Sequence, residues 1–146
     1  MVALAKSLNT DGGFVRDHET GDETGEILAS ATLPKFQKEL SAGIVSLVLL
    51  ALLERADEPL YGYQIAKSLE ATSGDGLPLK QGTLYPVLRS LEAGALLVSH
   101  VEPSISGPPR RYYSITPLGR EALPLWKQVW VRAREFVDAA LEGHVG

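Results

Sequence analysis

Apolar positions along the chain fall into two rhythms, and the change from one to the other divides the sequence. From Pro34 onward, Leu40, Ile44, Leu47, Val48 and Ala51 recur at helical spacing. Pro34 suits a first helical turn. Pro59 disfavours helix at Glu58, so this first helix ends near Ala56. Its centre, 44-IVSLVLLALL-53, is a ten-residue apolar run. A membrane span needs roughly 20 such residues, so the run reads as a buried core helix. A second helix fits 61-YGYQIAKSLEAT-72, with Ile65, Leu69 and Tyr61 facing inward, and 73-SGDGLP-78 is turn chemistry. A third follows in 80-KQGTLYPVLRSLEAGALL-97, where Leu84, Val87, Leu88 and Leu91 form one stripe and Gly94 offers a C-cap.

After Gly94 the period shortens. The segments 96-LLVSHVE-102 and 111-RYYSIT-116 are β-branched or aromatic with partial alternation, and 103-PSISGPPR-110 between them suits a hairpin tip. Thr116-Pro117 is a strong helix start, an N-cap followed by proline at the first position. The last helix runs to Leu141 and ends at Gly143, with Pro124 expected to bend it or split off its first turns. Pro86 has two readings. If its helix starts at Thr83, the proline lies in the first turn and costs no helical bond. If the helix starts near Lys80, Pro86 removes the bond to the Gly82 carbonyl and distorts the opening turn.

Charge changes this picture at one end. The chain of 146 residues has a formal net charge of −4. Residues 1–34 hold two bases and six acids, and the remainder balances at twelve of each. The acidity therefore belongs to a leader, and the average says little about any one surface. The stretch 11-DGGFVRDHETGDETGE-26 has too few apolar residues to offset the entropy of ordering itself. It reads as mobile, and 27-ILASA-31 can add a short helical turn. The expected organisation is a leader over 1–33, a unit of three helices and a hairpin over 34–116 and one long helix over 117–146. With no cysteine, disulfides and thiolate metal sites are excluded, and the N-terminus lacks the pattern of a signal peptide. A cytoplasmic protein with no membrane segment and no cofactor is expected.

The order helix, helix, turn, helix, hairpin is that of a winged helix-turn-helix, a mainly α fold with a small β-hairpin wing and here a long C-terminal helix. Three blocks carry a more specific signal: 61-YGYQIAKSLE-70, 82-GTLYPVLRSLEAGALL-97 and 107-GPPRRYYSITPLGREAL-123. In that order and spacing they resemble the PadR-type transcriptional regulators, over roughly Leu33 to Leu141, and the single C-terminal helix resembles the smaller subfamily. The resemblance implies a dimer that binds double-stranded DNA at a palindromic operator, as a repressor answering a small molecule or other signal.

The residues suit that reading. DNA affinity comes largely from neutralised phosphates, and sequence is read by side chains at the front of the recognition helix. Lys80, Gln81 and Thr83 supply donors and acceptors there. Tyr85 can reach a phosphate or base edge, and Arg89 lies two turns along for a backbone contact. At the wing, Arg110 and Arg111 follow a stiff Gly-Pro-Pro tip. Lys80 stands where the resemblance implies a small capping residue, and adds a positive charge. Tyr61, Tyr63, Tyr112 and Tyr113 are expected to pack, with wet hydroxyls.

On the last helix, Leu118, Ala122, Leu125, Val129, Ala133 and Phe136 form one stripe, and Trp126, Trp130, Val137 and Leu141 an adjoining one. So wide an apolar face exceeds what a small domain covers, so homodimerisation through it and the first helix is expected. The resemblance implies that a tryptophan near Trp130 stacks planar aromatic ligands in a drug-sensing branch, making Trp126 and Trp130 candidate ligand residues for a small aromatic effector. Two other readings stand beside the regulator: a winged-helix protein-interaction module, and a protein mainly binding small molecules through the tryptophans. Catalysis finds no support. His18, His100 and His144 have no neighbours at ligand spacing, and no phosphate-binding glycine loop is present.

Overall fold

Helix α1 (Gly13–Ser30) and helix α2 (Leu33–Arg55) lead into strand β1 (Leu60–Tyr61), helix α3 (Gly62–Ser73) and helix α4 (Gln81–Ala93). Strands β2 (Leu97–Glu102) and β3 (Arg110–Ile115) and helix α5 (Pro117–Leu141) complete the order. The structure, a computed structural model, describes the backbone of residues 13–73 and 81–143 and the side chains of residues 22–72 and 82–143. The chain divides into two units, residues 1–40 and 41–146.

In the first unit, where the sequence predicts a mobile leader followed by a short helical turn at 27–31, residues Gly13–Ser30 form a helix. No side chain described between residues 22 and 40 is buried, and Ile27 and Leu28 stay exposed. A helix, however, satisfies its own backbone hydrogen bonds, and its Glu residues favour it without any core. Residues 1–12 of the expected leader lie outside the described residues. Thr32 carries the chain onward: its N–H and hydroxyl both donate to the Ala29 carbonyl, at 3.1 and 2.6 Å, while its own carbonyl accepts from Phe36 N–H at 3.3 Å.

The second unit is a winged helix. Its core joins Val45, Leu49, Leu50 and Leu53 of α2, Ile65 and Leu69 of α3, Leu84, Leu88 and Leu91 of α4, Leu97 of β2, Tyr113 of β3 and Leu123 of α5. Each fully buried leucine contributes about 1.5–3 kcal/mol. The predicted stripe of α4 is the buried one, with Val87 at its margin. That of α2 is rotated: Leu40 and Val48 are exposed, and the core face runs Val45–Leu49–Leu50–Leu53. The region 44–53 is apolar all round, so periodicity could not choose its face. The helical stretch Asp22–Arg55 is long and apolar enough for a membrane span by length and composition, yet Leu49, Leu50 and Leu53 within it are spent on this core.

The antiparallel sheet has the order β1-β3-β2. The predicted hairpin pairs Leu97 with Ile115 through Glu102 with Arg110. The edge strand β1, pairing Leu60 with Tyr113 and Tyr61 with Tyr112, is new. Tyr61, expected to face inward from a helix, is therefore a strand residue, and Gln64 Oε1 accepts its N–H at 3.0 Å as α3 begins.

The end of α4 differs from expectation by one residue. Leu96 N–H donates to the Leu91 carbonyl at 3.0 Å and Ala95 N–H to that of Glu92 at 2.9 Å. That pair is a Schellman motif, and its left-handed residue is Ala95, with φ 66°, instead of Gly94. Pro86 lies inside α4, which begins at Gln81, so the second reading of this proline holds. Helix α5 runs unbroken through Pro124 from its Thr116 cap, whose hydroxyl accepts Gly119 N–H at 3.0 Å.

A non-glycine residue in the left-handed region costs about 1–2 kcal/mol, partly offset by the extra freedom glycine gives the unfolded chain. Ala95→Gly is therefore expected to stabilise the protein by about 0.5–1 kcal/mol, read as a higher midpoint in thermal unfolding.

Candidate nucleic-acid interface

The amphipathic α4 buries its leucines and leaves the opposite side to solvent. Gly82, Thr83, Tyr85 and Arg89 are exposed along it. Lys80 lies outside the described residues, as does the Gln81 side chain. Strand β3 alternates, so Arg111, Tyr113 and Ile115 share one face of the sheet while Arg110 and Tyr112 share the other. Tyr113 is buried in the core, which puts Arg111 at the end of the core-side face nearest the wing.

An open groove of about 580 Å³ runs between these elements. It is lined by Tyr61, Gly62 and Tyr63, by Tyr85, Arg89 and Glu92 of α4, and by Pro109, Arg110, Arg111 and Tyr113 of the wing. The structure thus brings together four of the predicted residues, Tyr85, Arg89, Arg110 and Arg111, on one groove. Thr83 is exposed at the front of the same helix.

The two wing arginines are held by neighbours that the sequence reading did not place at this site. The Arg110 guanidinium carbon lies 4.4 Å from the Tyr61 ring centroid, a cation–π distance. Tyr61 in turn meets Tyr112 edge-on at 5.4 Å, and His100 stacks on Tyr112 at 5.6 Å. Arg111 Nη1 donates to Ser99 Oγ at 2.9 Å, and Ser99 Oγ donates to Glu92 Oε2 at 2.6 Å. The tyrosines divide: Tyr113 is buried, Tyr61 and Tyr112 are half-buried, and Tyr63 is exposed, with Lys67 Nζ 5.9 Å from its ring. Burial pushes the Tyr113 phenol above its ordinary pKa, and the nearby Glu92 carboxylate acts in the same direction.

Sequence reasoning missed Tyr61, Glu92 and Ser99 as parts of this site. Ser99 had a readable signal. It alternates onto the same sheet face as Tyr113 and sits diagonally from Arg111, within reach of a long side chain. The candidate ligand residues also separate. Trp126 packs against the core, while Trp130, one turn further on, is 39% exposed. Among the described residues no cluster of His, Asp or Glu could hold a metal ion.

A buried leucine helix presenting a polar face, beside a hairpin carrying arginines, defines a winged-helix DNA-binding protein. Residues 49–124 match the model of the transcriptional regulator PadR-like family. The chain is 31% identical to a PadR family transcription regulator from Clostridium difficile, whose structure matches with a TM-score of 0.55 over 66% of this chain and 97% of that one. A PadR family regulator from Eggerthella lenta is 28% identical, with a TM-score of 0.59 over 82% and 97% of the two chains. Transcriptional regulator Rv3488 of Mycobacterium tuberculosis is 43% identical over 68 residues, 47% of this chain and 60% of that one. The chain belongs to the PadR-like family: it is a DNA-binding transcriptional regulator and not an enzyme.

Gly62 packs closely against Tyr85 in the groove. A Cβ there would come within 2.6 Å of the Tyr85 hydroxyl and 2.8 Å of its Cε1. The ring tip is partly exposed and can swing away, so Gly62→Ala is expected to cost less than about 1 kcal/mol of stability while displacing Tyr85. DNA binding, measured by fluorescence anisotropy, should weaken severalfold in this variant with little change in the unfolding midpoint.

Proposed function

We propose that the protein is a homodimeric, cytoplasmic repressor that binds a palindromic operator through α4 and the wing. The observation that carries this reading is the convergence of Arg89, Arg110 and Arg111 with Tyr85 on one open groove. Three cations along the exposed side of α4 supply phosphate neutralisation, and the exposed Thr83 at its front supplies polar atoms to read base edges. Lys80 and Gln81 complete the proposed reading end.

Dimerisation is supported by α5, where Leu125, Val129, Phe136, Val137 and Leu141 are all at least 49% exposed. Large exposed apolar faces mark interaction surfaces, and a second copy of α5 would match this one in chemistry. A two-fold dimer places its reading helices about one helical turn of DNA apart, which requires a palindromic site. An effector would then act by favouring one spacing of the two heads over another.

The test is a mobility shift with DNA from upstream of the protein's own gene, at low salt where electrostatic affinity is greatest. Binding is expected there. Its absence would favour a winged-helix protein-interaction module instead. Changing Arg110 and Arg111 together to alanine should weaken binding to every sequence. It should also reduce the slope of log affinity against log salt by about 2 per reading head.

A sensing role rests on a second observation, the exposure of Trp130 beside a packed Trp126. If α5 stacks planar aromatic effectors, micromolar planar dyes should quench tryptophan fluorescence, and Trp130→Ala should abolish the quenching while Trp126 remains. Unchanged fluorescence of the native protein would exclude that chemistry.

A further inference from the structure

Glu92 is an acid inside a groove that the preceding reading gives to phosphates, where its charge by itself would repel the ligand. We propose that Glu92 and Ser99 form a positioning relay that holds Arg111 of the wing at a fixed place relative to the recognition helix. The proposal deepens the DNA-binding reading and rests on it.

The direction of the relay follows from hydrogen count. A serine hydroxyl has one proton and two lone pairs. Ser99 Oγ lies 2.6 Å from Glu92 Oε2 and spends its proton there. Its lone pairs then face Arg111 Nη1, which donates at 2.9 Å. The carboxylate pulls on the serine proton, which makes the serine oxygen a better acceptor for the guanidinium, and such chains strengthen cooperatively. Both contacts involve an ionised group, which shortens and strengthens them.

The relay crosses three elements. Glu92 sits near the end of α4, Ser99 in β2 and Arg111 in β3. Ser99 pairs with Tyr113 across the ladder and is diagonal to Arg111, so the strand register delivers the hydroxyl to the guanidinium. Glu92 and Ser99 are half-buried while Arg111 is exposed, so the anchor is packed and the cation projects from it. Arg110, the adjacent wing arginine, is held differently, over the Tyr61 ring. A pre-ordered arginine loses less rotamer freedom on meeting a phosphate than an unrestrained one. The wing and the reading helix thereby meet DNA as one rigid pair of contacts.

The experiment has a readout in the free protein and one with DNA, using the full chain. In the free protein, the Arg111 guanidinium should give resolved Nη signals by nitrogen-detected NMR at low temperature, reporting slow rotation. Ser99→Ala and Glu92→Ala should each merge them, and Ser99→Thr, which keeps the hydroxyl on a strand-compatible residue, should preserve them. With operator DNA, Ser99→Ala changes no charge and should weaken binding about three- to tenfold. Ser99→Thr should restore it, and the loss should vanish when Ser99→Ala is made in an Arg111→Ala background. A merely structural role for Ser99 would instead weaken binding equally in both backgrounds. Equal loss in both, or an Arg111 signal indifferent to Ser99, overturns the relay while leaving the regulator reading intact. Failure of the native protein to bind any DNA overturns the regulator reading, and the relay as a DNA-positioning device falls with it.

Discussion

One hydroxyl, that of Thr116, joins the reading helix to the long helix that follows the wing. Its oxygen accepts Gly119 N–H at 3.0 Å and so caps α5. Its proton faces the carbonyls of Ala95 and Leu96, at 2.7 and 3.1 Å, in the turn that closes α4. The Thr116 N–H donates to the same Leu96 carbonyl at 3.1 Å. The left-handed backbone of Ala95 is therefore more than a helix stop, because that turn presents the carbonyls that α5 grips. Gly119 lets the first turn of α5 settle there: a Cβ on it would run into the Leu96 carbonyl oxygen and the Ile115 side chain. Through this joint the start of α5 and the end of α4 are tied by direct hydrogen bonds.

From that joint the rest of the second unit divides into a leucine core and two solvent-facing surfaces. The core holds α4 by Leu84, Leu88 and Leu91 on one side only, so the opposite side is available for reading. Glu54 of α2 lies 3.6 Å from Arg120 of α5, an exposed pair of small energetic weight. Beyond the Thr116 joint, the hold on α5 is apolar: Leu123 is buried and Trp126 packs against the core. Beyond Trp126 the side chains of α5 turn to solvent, so the helix is secured at its front and presents an uncovered apolar length behind.

The legible parts of this fold are those where one physical signal acts alone. The stripe of α4 could be read because a helix buried on one side shows a 3.6-residue period, and Thr116-Pro117 because cap and proline agree. In α2 the period is drowned by an apolar run that could bury any side, and the core face came out rotated to Val45, Leu49, Leu50 and Leu53. Strand β1 has two residues, too few for alternation to exist. Ala95 hid beside Gly94 because left-handed backbone is usually glycine's. Helix α1 escaped an argument built on burial, since its described side chains bury nothing and its backbone bonds need no core. At the site, Arg110 and Arg111 could be picked out by charge and the stiff wing tip. Ser99 was within reach only through the strand register, and Tyr61 and Glu92 were not, because a side chain's partner across three elements is fixed by packing.

The acidity of the chain and its membership of a DNA-binding family are compatible for a reason of scale. Salt screens charges beyond about 8–10 Å, so a net charge of −4 says little about a ligand seated within a few ångströms of particular side chains. At the groove the relevant charges are Arg89, Arg110, Arg111 and Glu92, and the single acid is engaged with Ser99. The front of α4 adds a geometric point. Pro86 removes a helical bond to the Gly82 carbonyl, and Gly82 is exposed, with open space where its Cβ would be. A second-turn proline is tolerated where the orphaned carbonyl can take water instead. The polar, proline-interrupted opening of α4 thus costs little at a surface, whereas the same sequence buried would leave that carbonyl unsatisfied.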